Sequence, residues 1–187
     1  VIINKGDEKN FVIRARLVAK EIKRDKRDDL FAATPPLEAK KALFSQCVSR
    51  RAKSGRVLKL RFIDIKRAYF HSPSIRDVYV DLPEQDAELD SEGEPLCAKL
   101  DMSMYGTRDA AQNWEATYTA ALVENAFEGG KSTPCAFKHK SRDLSVVVHG
   151  DDFTALGDQH DVEWLTEVLS KYFSLVVKAT LGPEPGD

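Results

Sequence analysis

The fold of this chain is decided by residues 144–156, which read LSVVVHGDDFTAL. The apolar run before the glycine predicts a strand over residues 144–149, and the run after the second aspartate predicts a returning strand over 153–156. Glycine followed by aspartate is typical of a tight turn. The sequence therefore predicts a β-hairpin whose tip carries Asp151 and Asp152.

The elements on both sides of this hairpin complete a regular order. Before it, alternating residues predict a strand over 57–65, and an apolar stripe predicts a helix over 110–125. After it, a helix over 158–173 and a strand over 175–178 are predicted. The order strand, helix, strand, strand, helix, strand is the split βαβ arrangement of an α+β fold. Because crossovers are right-handed, the first two strands should be parallel, with the third between them and antiparallel to both.

The first part of the chain gives weaker signals. A strand is predicted over 12–18, and a helix over 35–54, with Pro35 in its first turn and Gly55 as its stop. Residues 78–82 predict a further strand, and the acidic stretch after them a solvated loop. The buried stripe of the helix is predicted to be Leu37, Phe44, Cys47 and Val48.

The predicted topology brings three carboxylates to one edge of the sheet. Asp64 lies near the end of the first strand, on the same face as Phe62, and Asp151 and Asp152 lie at the hairpin tip. Three such carboxylates repel one another unless a cation lies between them. Mg²⁺ or Mn²⁺ suits oxygen ligands, and two ions about 3.5–4 Å apart catalyse phosphoryl transfer. We expect a two-ion site here, with a purely structural turn as the alternative.

The two parts of the chain carry opposite charge. Residues 1–76 hold 20 Lys and Arg against 8 Asp and Glu, whereas residues 77–187 hold 8 against 22. The basic part predicts a surface for nucleic acid, with ordinary solvated charge as the alternative. The candidate contacts are Arg50, Arg51 and Lys53, together with the basic cluster at residues 20–27.

Composition excludes several classes of protein. With 187 residues, 42% of them hydrophobic and 31% charged, the chain has the balance of a globular domain. No apolar run approaches the roughly 20 residues of a membrane helix, and no signal peptide opens the sequence, so we expect an intracellular protein without membrane contact. The three cysteines form no disulfide framework, and Cys135 with His139 lacks a second ligand pair for zinc. Trp114 and Trp164 fall at buried helix positions and are interpreted as core.

Five segments, in order along the chain, resemble the reverse transcriptase domain of copia-type retrotransposon polyproteins. The resemblance covers nearly the whole chain. It implies an RNA-directed DNA polymerase that adds deoxynucleotides to a primer 3′-hydroxyl by two-metal catalysis. The matching segments are residues 14–20, 31–38, 62–70, 100–114 and 147–152.

The resemblance also implies a division of the chain and a set of partners. Residues 1–56 would be a basic portion of the fingers, and residues 57–187 the palm, with 77–105 as a fingers-like insertion. A thumb and a ribonuclease H domain are not expected within the chain. The expected partners are a primer on an RNA or DNA template, deoxynucleoside triphosphates and the rest of the polyprotein.

Roles for single residues follow from the same resemblance. The expected catalytic residues are Asp64, Asp151 and Asp152, with the backbone carbonyl of Ile65 as a further metal ligand. Tyr69, five positions after the first aspartate, would crowd the 2′-carbon of the incoming sugar. Gly106 would let backbone approach the nucleotide. The expected nucleotide-binding residues are Arg14, Arg16, Tyr69, Phe70, Tyr105 and Gly106.

Departures from the family pattern keep other functions open. His149 and Gly150 stand where the family usually has an aromatic residue and valine, and Gly-Asp-Asp also occurs in RNA-dependent RNA polymerases. A catalytically inactive remnant is a second alternative. A third is an RNA-binding split βαβ module, although the strand over 145–149 lacks the stacking aromatics of such modules.

Overall fold

The computed structural model describes residues 2–7, 9–22 and 30–184. One six-stranded antiparallel sheet forms the centre of the described chain, and two separate two-stranded ribbons lie outside it. The elements are β1 (Ile2–Asn4), β2 (Ile13–Ala15), α1 (Leu37–Ser49), β3 (Lys59–Ile65), β4 (Tyr79–Asp81), β5 (Cys97–Lys99), α2 (Ala110–Glu124), β6 (Phe127–Gly129), β7 (Ala136–His139), β8 (Ser145–His149), β9 (Asp152–Gly157), α3 (Gln159–Ser170) and β10 (Leu175–Leu181).

The strand order of the central sheet is β10-β3-β9-β8-β7-β6. Strand β9 lies between β3 and β8 and runs antiparallel to both, as the sequence predicts. The short strands β6 and β7 are not predicted. They extend the sheet beyond β8, so the chain that leaves α2 enters the sheet at its edge and reaches β8 through two hairpin steps.

The helices cover the two faces of the sheet unequally. Helices α2 and α3 pack on the face that carries Ile63, Val148 and Phe153, and this side contains the larger core. Helix α1 packs on the opposite face, against Leu60 and Leu156. Because side chains alternate along a strand, the predicted face of β3 that ends in Asp64 is the α1 face.

Helix α1 differs from its prediction in length and in its buried face. It ends at Ser49, and residues 52–55 form a turn in which the Gly55 N–H donates to the Ala52 carbonyl at 2.8 Å. Leu43 and Cys47 face the sheet, whereas three residues of the predicted stripe are exposed. Cys47 is thus buried as predicted, but Leu43 takes the place predicted for Phe44, because contact with the sheet sets the buried side. The exposed residues are Leu37, Phe44 and Val48.

The remaining boundaries differ by a few residues. The strand predicted over 12–18 is confined to β2, which pairs with β1. Helix α3 begins after Asp158, whose side chain accepts the Asp161 N–H, and it ends at Ser170 rather than at 173. Strand β10 continues to Leu181. Within the described residues, no helix has both the length and the apolar character that a membrane span requires.

Candidate active site

The three predicted carboxylates lie at one end of the central sheet. Asp64 on β3 is the direct register partner of Asp152 on β9, so both side chains stand on the α1 face. Asp151 lies in the turn just before β9, and its carbonyl accepts the Ile65 N–H at 2.9 Å. The carboxylate oxygens of the three aspartates do not all lie within 4.8 Å of one another. The strands thus bring the predicted residues together, in a looser group than a closed metal centre.

The electrostatics of this group are repulsive. Burial and the negative charges of Asp151 and Asp64 raise the pKa of Asp152, while Lys40 and His149 act against that rise. Lys178 Nζ lies 3.5 Å from an oxygen of Asp64. A β-bulge in β10 leaves Lys178 without a register partner on β3, although its side chain reaches Asp64. The carboxylates would therefore gain from a bound cation.

A cavity of about 430 Å³ opens beside these carboxylates. Its walls come from residues 14–17, from the end of β3 and from the hairpin turn. The carboxylates of Asp64 and Asp151 thus share this cavity with four cationic side chains, those of Arg14, Arg16, Lys66 and Arg67. The predicted site residues that line it are Arg14, Arg16, Asp64, Ile65, Phe70, Tyr105 and Asp151.

Three aromatic rings form a cluster at the edge of this cavity. The Tyr105 ring lies 4.6 Å from the Tyr69 ring and 5.7 Å from the Phe70 ring, measured between centroids. The Arg16 guanidinium lies 5.6 Å from the centroid of Tyr105. Burial and the charge of Asp151 both raise the pKa of Tyr69. Tyr69 is packed against the core and is not part of the cavity lining.

Gly106 contacts the amino-terminal segment rather than open space. Its φ is +95°, and a Cβ at this position would overlap the carbonyl oxygen of Ala19. The Ala19 N–H donates to the Tyr105 carbonyl at 2.7 Å. The glycine therefore lets the segment that carries Arg14 and Arg16 approach closely.

A charged cluster that the sequence did not indicate holds the same segment. The Arg76 guanidinium donates to Glu21 and, at 3.0 Å, to Asp109. The Arg108 N–H also donates to Glu21, at 2.7 Å. Burial opposes ionisation of Glu21, but the hydrogen bonds from Arg76 and Arg108 lower its pKa. Arg76 is separated from Glu21 by 55 positions and from Asp109 by 33. No periodic signal in the sequence could have predicted these contacts.

The predicted nucleic-acid contacts lie at the opposite end of the sheet. Arg50 donates to Asp143 at 2.7 Å, and the Lys53 N–H donates to the same carboxylate at 3.1 Å. Asp143 precedes β8, whose other end, about 13 Å away, leads into the hairpin turn. Arg51 is exposed beside them. Within the basic cluster predicted at 20–27, residues 23–27 lie outside the described residues.

Asp158, His160 and Asp161 offer ligand atoms within 4.8 Å of one another. Asp158 accepts from the Asp161 N–H and from the side chains of Ser54 and Arg56, whereas Asp161 accepts from Arg142. These hydrogen bonds show that Asp158 caps the amino terminus of α3, and they explain why the three side chains lie close together.

Comparison with known proteins gives one family and one relative. The model of a family described as reverse transcriptase (RNA-dependent DNA polymerase) matches residues 2–182. A curated protein, the retrovirus-related Pol polyprotein from transposon TNT 1-94 of Nicotiana tabacum, is 26% identical over 185 residues. This match covers 95% of the present chain and 13% of that polyprotein. No solved structure matches the chain.

Proposed function

Because the chain belongs to the reverse transcriptase (RNA-dependent DNA polymerase) family, we propose that it forms the palm and part of the fingers of an RNA-directed DNA polymerase from a copia-type retrotransposon. Residues 57–187 would be the split βαβ palm, and residues 1–56 the fingers portion. Residues 14–17 line the same cavity as Asp64 and Asp151, which supports this division.

The pairing of Asp64 with Asp152, beside the turn that carries Asp151, supports the proposal most directly. The donor set fits Mg²⁺ or Mn²⁺, since it consists of carboxylate oxygens and the Ile65 carbonyl. We assign Asp64 and Asp151 to both of two ions, and Asp152 to completing or orienting the cluster. When bound, the ions activate the primer 3′-hydroxyl and stabilise the leaving pyrophosphate.

The arginines of residues 14–17 that line the cavity suit the triphosphate of an incoming nucleotide. Arg14 lies on β2 and Arg16 directly follows it, and both side chains line the cavity. A guanidinium matches the geometry of phosphate oxygens and holds them through paired hydrogen bonds. The contact of Arg16 with Tyr105 restricts its guanidinium, which reduces the conformational entropy lost on binding.

The aromatic cluster would then receive the sugar. Tyr69 and Phe70 follow Asp64 through a short helical turn, and the charge of Asp151 reaches the Tyr69 hydroxyl. A ring at this position would exclude a 2′-hydroxyl, which favours deoxynucleotides. An RNA-dependent RNA polymerase, which the Gly-Asp-Asp sequence permits, would accept ribonucleotides instead.

The direct test is extension of a DNA primer on an RNA template in the presence of Mg²⁺. It should use the chain joined to its native downstream sequence, since the chain spans only 13% of its relative. Asp151→Asn should reduce the rate by roughly 10³-fold or more, because each ion contributes several kcal/mol and about 1.4 kcal/mol corresponds to tenfold.

The control is Asp77→Asn, which changes a carboxylate that is 71% exposed and paired with Lys99. It should extend the primer at the wild-type rate. Equal extension by the wild type and Asp151→Asn would contradict the proposed function.

A further inference from the structure

The hairpin turn before Asp151 is held by hydrogen bonds from two different elements. Gly150 has a φ of +64°, and its carbonyl accepts the indole N–H of Trp114 on α2 at 2.7 Å. The next carbonyl, that of Asp151, accepts the Ile65 N–H from β3 at 2.9 Å. The peptide group between Gly150 and Asp151 is thus bonded to α2, while the peptide group after Asp151 is bonded to β3.

The donor from α2 is itself fixed by the core. Trp114 is only 1% exposed. Its ring packs edge-on against Phe173 at 4.9 Å and against Tyr118 at 5.5 Å, with Phe153 of β9 at 6.4 Å. Rotation of the indole would require these rings to move, so the N–H has one available direction.

We propose that Trp114 is a positioning residue for Asp151, and that its indole N–H, through the Gly150 carbonyl, sets where the Asp151 carboxylate stands relative to Asp64. The inference rests on the proposed function, since it assigns Asp151 to a metal ion. A turn tied only to β3 could rotate about Asp151. The carboxylate would then leave the position that it shares with Asp64.

A tryptophan that only fills the core would behave differently. Removing its N–H while keeping a ring would lower the melting temperature, but it would not alter the affinity of the folded protein for a divalent ion. A positioning role predicts weaker ion binding in a protein that remains folded. Metal affinity therefore separates the two roles without requiring polymerase activity.

The experiment measures Mn²⁺ binding to the 187-residue chain through the electron paramagnetic resonance signal of free Mn²⁺. Trp114→Phe should raise the dissociation constant about tenfold, the low end of the loss seen when a hydrogen bond that orients a metal ligand is removed. Circular dichroism should show that the variant is folded at the temperature of the assay.

Trp164→Phe is the matched control, because it makes the same change on α3, where Trp164 contacts Phe127 and His139. It should bind Mn²⁺ as the wild type does. Should Trp114→Phe fail to fold, a benzothiophene analogue in place of the indole keeps the ring shape without the N–H. That variant should show the same weakening.

The outcomes distinguish this inference from the proposed function. Wild-type affinity in Trp114→Phe or in the benzothiophene variant, or an equal loss in Trp164→Phe, would overturn the positioning role and leave the function intact. If the wild type bound Mn²⁺ no more tightly than Asp151→Asn does, both the positioning role and the proposed function would be overturned.

Discussion

The two ends of the central sheet shift the pKa values of their carboxylates in opposite directions. We call the end with Asp64, Asp151 and Asp152 the hairpin-turn end, and the end with Asp143 the far end. At the hairpin-turn end, burial and the neighbouring Asp151 and Asp64 raise the pKa of Asp152. At the far end, Arg50, Lys138 and the Lys53 N–H bond to Asp143, and together they outweigh its burial and hold its pKa far below the usual value. Both groups stand at the ends of the same strands, so the difference lies in their partners and not in the fold.

This difference separates carboxylates that stabilise the fold from those that we assign to metal. A carboxylate whose pKa is lowered by folding contributes stability at neutral pH, and the loss of one of its partners is costly. The hairpin-turn end instead retains a repulsion that a bound cation would relieve. Asp64 has Lys178 at 3.5 Å, and this lysine is 55% exposed, which makes the pair a weak one.

The first prediction concerns the hairpin-turn end and its selection of deoxynucleotides over ribonucleotides. Tyr69→Val should admit ribonucleotides, because it removes the ring that we propose excludes a 2′-hydroxyl. A hydroxyl with unreplaced hydrogen bonds costs about 1–3 kcal/mol, or roughly 5- to 150-fold in discrimination. The measurement is the ratio of kcat/KM for a deoxynucleotide to that for the matching ribonucleotide.

Tyr172→Val is the control for this prediction, because it changes a tyrosine that is 39% exposed. It should keep the wild-type ratio. Equal use of both sugars by the wild type would remove Tyr69 as the selecting residue and favour the RNA polymerase alternative.

A second prediction concerns the pH dependence of the far end. His139 is buried, and its Nδ1 accepts the N–H groups of Ser141 and Arg142, so the ring is held neutral. Burial, and then the charge of Arg142, lower its pKa from the usual 6.5. The contribution of neutral His139 to the free energy of unfolding is complete above pH 6.5. It decreases as the pH drops below 6.5, because the unfolded chain takes up the proton first.

The measurement is the free energy of unfolding between pH 7.5 and 5, in the wild type and in His139→Gln. The variant should lose about 1 kcal/mol at pH 7.5 and show a shallower fall toward pH 5. His160→Gln, a change at an exposed histidine, should follow the wild type. Parallel curves for the wild type and His139→Gln would show that His139 does not set this dependence.

The smallest expected effect tests whether the far end binds nucleic acid. Arg50 is engaged with Asp143, so the charge reversal is made at the exposed residues Arg51 and Lys53. Their replacement by glutamate should reduce the slope of log affinity against log salt by about 2, since each phosphate contact contributes roughly 0.9. The probe is a primer–template duplex, and an unchanged slope would leave this end with a structural role alone.

The sequence predicted the hairpin-turn end better than its surroundings. Asp64, Asp151 and Asp152 follow from strand alternation and crossover handedness, which depend on local pattern. The short strands β6 and β7 were missed because three or four residues give no clear period. On α1 the burial of Cys47 was predicted, but that of Leu43 was not, since contact with the sheet selects Leu43 in place of Phe44.

Partners that are distant in sequence were beyond prediction. The bond from Trp114 to Gly150 spans 36 residues, and nothing in the local sequence separates this tryptophan from an ordinary core residue. Gly106 was predicted to let backbone approach the nucleotide, whereas the close neighbour that the structure shows is the carbonyl of Ala19. Both contacts depend on tertiary packing, which a single sequence does not reveal.

The comparison of the two ends is tested most directly by thermal melting of Asp151→Asn and Asp143→Asn, each with and without Mg²⁺. Without metal, Asp151→Asn should keep or raise the wild-type melting temperature, because one repelling charge is removed. Asp143→Asn should lose about 2 kcal/mol, or roughly 4–8 °C, because Arg50 and Lys138 lose their charged partner. Mg²⁺ should stabilise the wild type and Asp143→Asn but not Asp151→Asn. Destabilisation of Asp151→Asn without metal, together with an undiminished response to Mg²⁺, would contradict the account.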